Sequence, residues 1–262
     1  MVLSMKITSD QAADAVLEMM EGLGATWANG WTRREAGCLM AVSGVPLATL
    51  NGVLVASETF DASMTARLLD EVVATGLPHC LQVRPACESD ASALAAERSL
   101  VREEHVIPLM VLEDPTLLGA ATRSDELSIR QLAPEEALVH SEVASVGFGA
   151  PVELFEELAT PSMLATPGVR CYVGEVAGEP VTTAMGFSTG SHVSIFSVAT
   201  PAQHRGNGYA SAVTARAAAD GLGAGATWAW LQSSPDGFSV YERLGFRTLE
   251  SWSCWYGEPE AN

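Results

Sequence analysis

The sequence predicts an α+β chain in which one plan is used twice: a mixed, mostly antiparallel central sheet flanked by helices, present in each half. Three observations predict it. The two halves carry matching text in the same order. The C-terminal half reads as strands interleaved with helices. The composition suits a chain that buries a real core, since of 262 residues 48% are hydrophobic and 18% charged, which is globular rather than disordered.

The matching text comes in two pairs. "MTARLLDEVVATGLPHCLQ" (64–82) lies over "VTARAAADGLGAGATWAWLQ" (213–232), and "AAERSLVREEHVIPLMVLE" (95–113) over "VYERLGFRTLESWSCWYGE" (240–258). The first pair reads as a helix, a glycine-containing turn and a strand ending Leu-Gln. The second reads as a helix end, a turn and a long strand. Thr65 and Thr214 stand 149 residues apart, and Glu97 and Glu242 stand 145 apart. Two matches in one order at nearly one offset outweigh a chance likeness of Ala-rich helices. The expected division is 1–113, a polar, turn-rich linker over 114–126, and 127–262.

Within the C-terminal half a strand at 127–132 is followed by "PEEALVHSEVASVGFG", a helix with Pro134 in its first turn and acids favouring the N-terminal dipole. "PVELFEELA" is a second, short helix, again opened by proline. "RCYVGEVAGEPVTTAMGFSTGSHVSIFSVAT" reads as three antiparallel strands joined at "AGEP" and "STGSH". An Ala-rich helix over 207–222, the strand "ATWAWLQ", the helix "DGFSVYERLG" and the strand "FRTLESWSCWYG" complete the half. Trp228, Trp230, Trp252 and Trp255 alternate on strands, as core residues of a sheet do.

The formal net charge of −18 opposes a nucleic-acid partner, which needs a basic surface. It favours a cationic or amine-bearing partner, with an acidic surface kept for solubility as the alternative. No run approaches the ~20 apolar residues of a membrane span. The start "MVLSMKITSDQAADAV" has no basic region leading into an apolar stretch, so a cytoplasmic protein without a secretion signal is expected. Cys38, Cys80, Cys87, Cys171 and Cys254 are odd in number and scattered, as are the five histidines. Reduced thiols and no metal site are the expectation.

"TPAQHRGNGYAS", Thr200 to Ser211, places Arg205 beside two glycines at a helix start, with no acidic residue nearby in the sequence. Glycines at Gly206 and Gly208 let successive backbone N–H groups face one concavity, and the helix N-terminus adds partial positive charge. Such a turn suits an anion, with Arg205 at its rim. It is neither the dinucleotide fingerprint nor a P-loop, because the third glycine and the Gly-Lys-Ser/Thr are missing.

"SVATPAQHRGNGYAS" resembles the acyl-CoA signature of the GNAT superfamily of N-acetyltransferases: a strand ending Val-Ala-Thr, a short loop, then Gln203-His204-Arg205-Gly206-Asn207-Gly208 opening a helix. A second family element, an aromatic followed by Leu-Gly-Phe, stands here as "VYERLGF", Val240 to Phe246. The resemblance covers Leu127 to Gly257 and extends to the N-terminal half as a degraded copy, so that the chain resembles tandem GNAT proteins. It implies that the backbone of Arg205 to Ala210, Tyr209 included, holds the pyrophosphate of coenzyme A. Val198, Ala199 and Thr200 would pair with the pantetheine arm along a strand edge exposed where two parallel strands splay. The backbone N–H of Val198 would steady the thioester oxyanion, and Tyr241 would donate the proton to the leaving thiolate. Ser233, another residue expected at the cofactor, stands where the family commonly has asparagine.

The implied activity is transfer of an acetyl group from acetyl-CoA to a primary amine by direct attack. The alternative is a non-catalytic acyl-CoA-binding sensor or scaffold, kept open because "HVSIFSVAT" offers no carboxylate as general base. That strand carries only His192, Ser194 and Ser197. Alternation puts His192 and Ser194 on one face and Ser197 on the other, and a water relay is the default base. Glu153, Glu156 and Glu157 are candidates for the substrate ammonium, or a solvated helix face. In the N-terminal half Ala96 takes the place of Tyr241 and "ASETFDASMTAR" has no Gly-x-Gly, so this copy is expected not to bind coenzyme A. It would complete the structure or one wall of the acceptor site. A monomer or homodimer is expected, since two fused copies make a monomer sufficient.

Overall fold

Ile7 to Leu109 begin with a helix whose start is set by its cap: Thr8 accepts from the Gln11 N–H and the Gln11 side chain returns the bond, a capping box that opens α1 (Ser9–Gly24). The computed structural model describes residues 6–120 and 126–259. After α1 come the hairpin β1 (Trp31–Glu35) and β2 (Cys38–Val42), then β3 (Asn51–Val55), α2 (Ala62–Val73), β4 (His79–Val83), α3 (Glu88–Glu97), the short β5 (Val101–Arg102) and β6 (Ile107–Leu112). The second half runs β7 (Leu127–Gln131), α4 (Ala137–Phe148), α5 (Val152–Leu158), α6 (Pro161–Leu164), β8 (Val169–Val176), β9 (Glu179–Thr189), β10 (His192–Ala199), α7 (Tyr209–Gly223), β11 (Trp228–Gln232), α8 (Pro235–Arg243) and β12 (Arg247–Gly257). Every element expected in this half is present. Among the described residues no helix is long and apolar enough to cross a membrane.

The chain forms two compact units. One joins Ile7–Leu109 to the segment from Thr248 onward; the other contains Met110–Arg247. The expected division assigned all of 127–262 to one domain, whereas β12 beyond Arg247 belongs with the N-terminal unit and the end of β6 with the C-terminal one. Of the expected linker, Pro115–Ala120 is a 3-10 helix, and 121–125 lie outside the described residues.

In the N-terminal unit the strand order is β1-β2-β3-β4-β12, with β5 also paired to β12. Only β3 and β4 are parallel there; β1-β2, β2-β3 and β4-β12 are antiparallel. Its core joins Leu68, Leu69 and Val72 of α2 to Met40, Val53, Leu81 and Trp255 of the sheet. In the C-terminal unit the order is β6-β11-β10-β9-β8-β7, with β7 through β10 antiparallel and β10-β11 parallel. Val213, Ala217 and Ala218 of α7 and Tyr241 and Leu244 of α8 pack on Val193, Ile195, Ala229 and Leu231. The succession helix, strand, helix, strand recurs as α2-β4-α3-β6, with the two-residue β5 between α3 and β6, and as α7-β11-α8-β12, which is the repeat read from the sequence.

Candidate active site

Parallel strands β10 and β11 pair at only three positions, His192 with Trp228, Val193 with Ala229 and Ser194 with Trp230. Beyond Ser194 the strands part, while β10 continues to Ala199. On its other side β10 pairs with β9 until Phe196 faces Met185, then resumes at Ala199 opposite Thr183. Ser197 and Val198 thus oppose the single residue Ala184, a β-bulge. Ser197 has a φ of +51°, the left-handed conformation a serine rarely adopts.

The bulge resets the alternation expected of β10. Strict alternation puts Ser197 on the face of Val193 and Ile195, but Val198 packs against that cluster instead. Ser197 turns toward α4, where His140 Nε2 lies 3.0 Å from its hydroxyl. His140 Nδ1 lies 2.6 Å from Thr183 Oγ1. Thr183 donates its own proton to the Tyr172 carbonyl at 2.8 Å, so it accepts from Nδ1–H, and the lone pair of Nε2 accepts from Ser197. His140 and Thr183 are buried, and Ser197 is half-buried. Burial pushes the His140 pKa down to about 4 and keeps the ring neutral. Sequence reasoning named Ser197 but missed His140 and Thr183, which lie 57 and 14 residues before it.

The other two polar groups of β10 serve the core. The Trp230 indole N–H donates to His192 Nδ1 at 3.1 Å, and the Ser194 hydroxyl donates to the Phe187 carbonyl at 3.1 Å. At the strand end Thr182 donates to the Ala199 carbonyl at 3.0 Å and meets the Thr200 hydroxyl at 2.8 Å. These bonds hold Ala199 and Thr200 in place beside the parted strands.

After Thr200 a 3-10 turn, Ala202–His204, contains Gln203 and leads into the glycine turn. Gly206 and Gly208 both have positive φ, +83° and +79°, and a Cβ on Gly206 would meet nothing within 4 Å. Gly208 is the N-cap of α7, and no side chain caps that helix. The N–H groups of Tyr209, Ala210 and Ser211 therefore have no intrahelical acceptor at a dipole end that favours anions. Asn207 Nδ2 braces the turn on the His204 carbonyl at 3.1 Å. Arg205 donates to the Thr200 carbonyl and to the Gly147 carbonyl of α4, each at 3.1 Å. Its guanidinium also lies 3.7 Å from Asp236, an acid the fold supplies from α8.

Tyr241 is buried against Phe246, with ring centroids 6.2 Å apart. Burial pushes its phenol up to about 12, and its hydroxyl bonds no protein group among the described residues. Ser233 is buried and donates to the Ser234 carbonyl at 2.8 Å. Glu153, Glu156 and Glu157 are exposed on α5. Trp228, Trp230, Trp252 and Trp255 are buried core residues. Among the described residues no cluster of His, Cys, Asp or Glu is placed to hold a metal ion.

Among its described residues the N-terminal unit has neither the parted parallel strands nor the uncapped helix end that follows them. There β3 and β4 stay paired up to Val55 and Val83, the last residues of both strands. Asp61 caps α2, accepting from the Met64 N–H at 2.9 Å, so a carboxylate of the chain already occupies that helix end. Arg84, buried just after β4, donates to the Ala56 carbonyl, Glu250 and Asp10.

The profile described as "Acetyltransferase (GNAT) family" matches residues 129–246. No curated protein matches the chain. A GCN5-related N-acetyltransferase from Kribbella flavida is 19% identical, with 97% of this chain and 96% of that one covered at a TM-score of 0.70. A GCN5-related N-acetyltransferase from Sphaerobacter thermophilus is 15% identical over 96% and 94%, TM-score 0.60. A tandem GNAT protein from the clavulanic acid biosynthesis pathway is 15% identical over 98% of each chain, TM-score 0.57. Residues 129–246 thus match the model of the acetyltransferase (GNAT) family, and the chain has the fold of the GCN5-related N-acetyltransferases.

Proposed function

We propose that the chain is an N-acetyltransferase that moves an acetyl group from acetyl-CoA to a primary amine by direct attack. The observation that carries this reading is the parting of β10 from β11 after Ser194 next to an uncapped, glycine-opened helix. The pyrophosphate of acetyl-CoA is held by the backbone of Arg205 to Ala210, with Gln203 and His204 leading into the turn. Arg205 contributes less as a free cation than as the brace that fixes the turn to Thr200 and Gly147. The pantetheine amides pair with the free edge at Val198, Ala199 and Thr200, and Ser233 lies at its far end. The Val198 N–H receives the thioester oxyanion.

Tyr241 supplies the proton to the leaving thiolate. A phenol raised to about 12 stays protonated throughout the neutral range, so it is always in its donor form. The formal charge of −18 favours a cationic amine as acceptor. The N-terminal half is a non-catalytic copy, its strands closed and its helix end filled by Asp61, and one chain with two copies acts as a monomer.

Thiol release from acetyl-CoA across a panel of primary amines, polyamines included, tests the reading. Tyr241→Phe is expected to lower kcat by about 10²-fold with acetyl-CoA affinity unchanged. Binding of acetyl-CoA with no amine-dependent thiol release would contradict catalysis and leave an acyl-CoA sensor.

A further inference from the structure

The group around Ser197 has the parts of a nucleophile-and-base unit. A half-buried serine is held at a φ of +51° on a bulge, a strained setting that recurs at functional sites. Its hydroxyl is 3.0 Å from the lone pair of a buried, neutral imidazole. That imidazole is oriented by a third group, Thr183 at 2.6 Å, itself fixed on the Tyr172 carbonyl. Nucleophile, base and orienter in series are the signature of an activated hydroxyl. The residue after the serine is Val198, and the N–H following a nucleophile is well placed for the oxyanion its attack creates.

We propose that Ser197 is an acyl-accepting nucleophile: with no amine in place, bound acetyl-CoA acylates Ser197 Oγ, and water then clears the ester. The proposal rests on the reading that this unit binds acetyl-CoA. In the first step the Oγ–C bond forms and the C–S bond breaks. The serine proton passes to His140 Nε2 and on to the departing thiolate, so coenzyme A leaves as the thiol. In the second step Nε2 takes a proton from water as the water attacks the ester carbonyl. That proton returns to Ser197 Oγ, and acetate is released. The net reaction is hydrolysis of the thioester, an activity distinct from transfer to an amine. His140 touches the reacting hydroxyl; Thr183 is a positioning residue that acts through it.

The test is intact-protein mass spectrometry after incubation with acetyl-CoA alone, with peptide mapping, beside calorimetric binding of acetyl-CoA. Lys6 is the only lysine in the sequence, so uncatalysed acetylation of amines is confined to Lys6 and the N-terminus. The expected result is the mass gain of one acetyl group on Ser197. It is absent from Ser197→Ala, which still binds acetyl-CoA, and restored as a thioester in Ser197→Cys. His140→Gln is expected to slow the gain by about 10²-fold or more. Thr183→Val, which keeps the side-chain shape, is expected to slow it as well, so one variant failing to fold leaves the other to decide. Acetyl-CoA binding without a gain on Ser197, or a gain confined to Lys6 or the N-terminus, overturns the proposal and leaves the cofactor reading standing. A gain on Ser197 that well-folded His140→Gln and Thr183→Val leave unslowed overturns it too. Failure of the wild type to bind acetyl-CoA overturns the cofactor reading, and the proposal with it.

Discussion

His140 is a titratable side chain that the fold keeps uncharged. Burial lowers its pKa from the ordinary 6.5 to about 4, so between those values the unfolded chain binds a proton that the native fold refuses. Where the unfolded state binds more protons, stability rises with pH. The contribution is therefore complete above pH 6.5 and is lost as pH falls toward 4. A difference of 6.5 against about 4 corresponds to about 3 kcal/mol. Urea titrations at pH 7 and pH 5 are expected to show stability falling on acidification, with a shallower fall in His140→Gln; equal slopes for the two proteins would contradict the assignment. None of this was legible in the sequence. His140, Thr183 and Ser197 are scattered along the chain, and the alternation rule put Ser197 on the wrong face because nothing in "IFSVAT" marks a bulge when the left-handed residue is serine rather than glycine. The glycine turn was legible because Gly206 and Gly208 do mark theirs. The acid near Arg205 was not, since Asp236 lies 31 residues on and reaches it through α8.

The same pair of elements, a strand followed by a parallel neighbour, is used openly in one unit and closed in the other. In the C-terminal unit β10 and β11 separate after three pairs; in the N-terminal unit β3 and β4 run together to their ends. Arg84 lies beside that closed end, with its side chain 3% exposed and Glu250 next to it 11% exposed. Removing one partner of a buried pair leaves the other charge uncompensated. Arg84→Met is accordingly expected to lower stability by about 3 kcal/mol, read as a shift of the urea midpoint at pH 7. A loss below about 1 kcal/mol, the range of an exposed ion pair, would show that the cluster is not buried as described. Helices and strands of the C-terminal half were legible because their periodicities are clean and prolines and glycines punctuate them. The Arg84–Glu250 contact beside the closed end of β3 and β4 was not, because its partners stand 166 residues apart.

For the whole molecule, duplication was visible as matched text at offsets of 149 and 145 residues, while the distribution of strands between units was not. β6 and β12 read as ordinary strands, and no local signal tells which sheet a strand joins. Met110 and Leu112 of β6 sit in the core that also contains Tyr241 and Phe246, so the N-terminal half of the sequence supplies part of the setting of the candidate acid. The two units differ in the corresponding places: one has strands that part and an uncapped helix, the other has strands paired to their ends and a helix capped by Asp61. The measurement that tests this account most directly is isothermal titration with acetyl-CoA of the wild type and of a variant carrying Arg205→Glu and Gly206→Asp. The account predicts one site per chain, bound by the wild type and lost in a variant that keeps the wild-type circular dichroism. Absence of binding by well-folded wild type, or two sites per chain, or a variant that binds as tightly as the wild type, would contradict it.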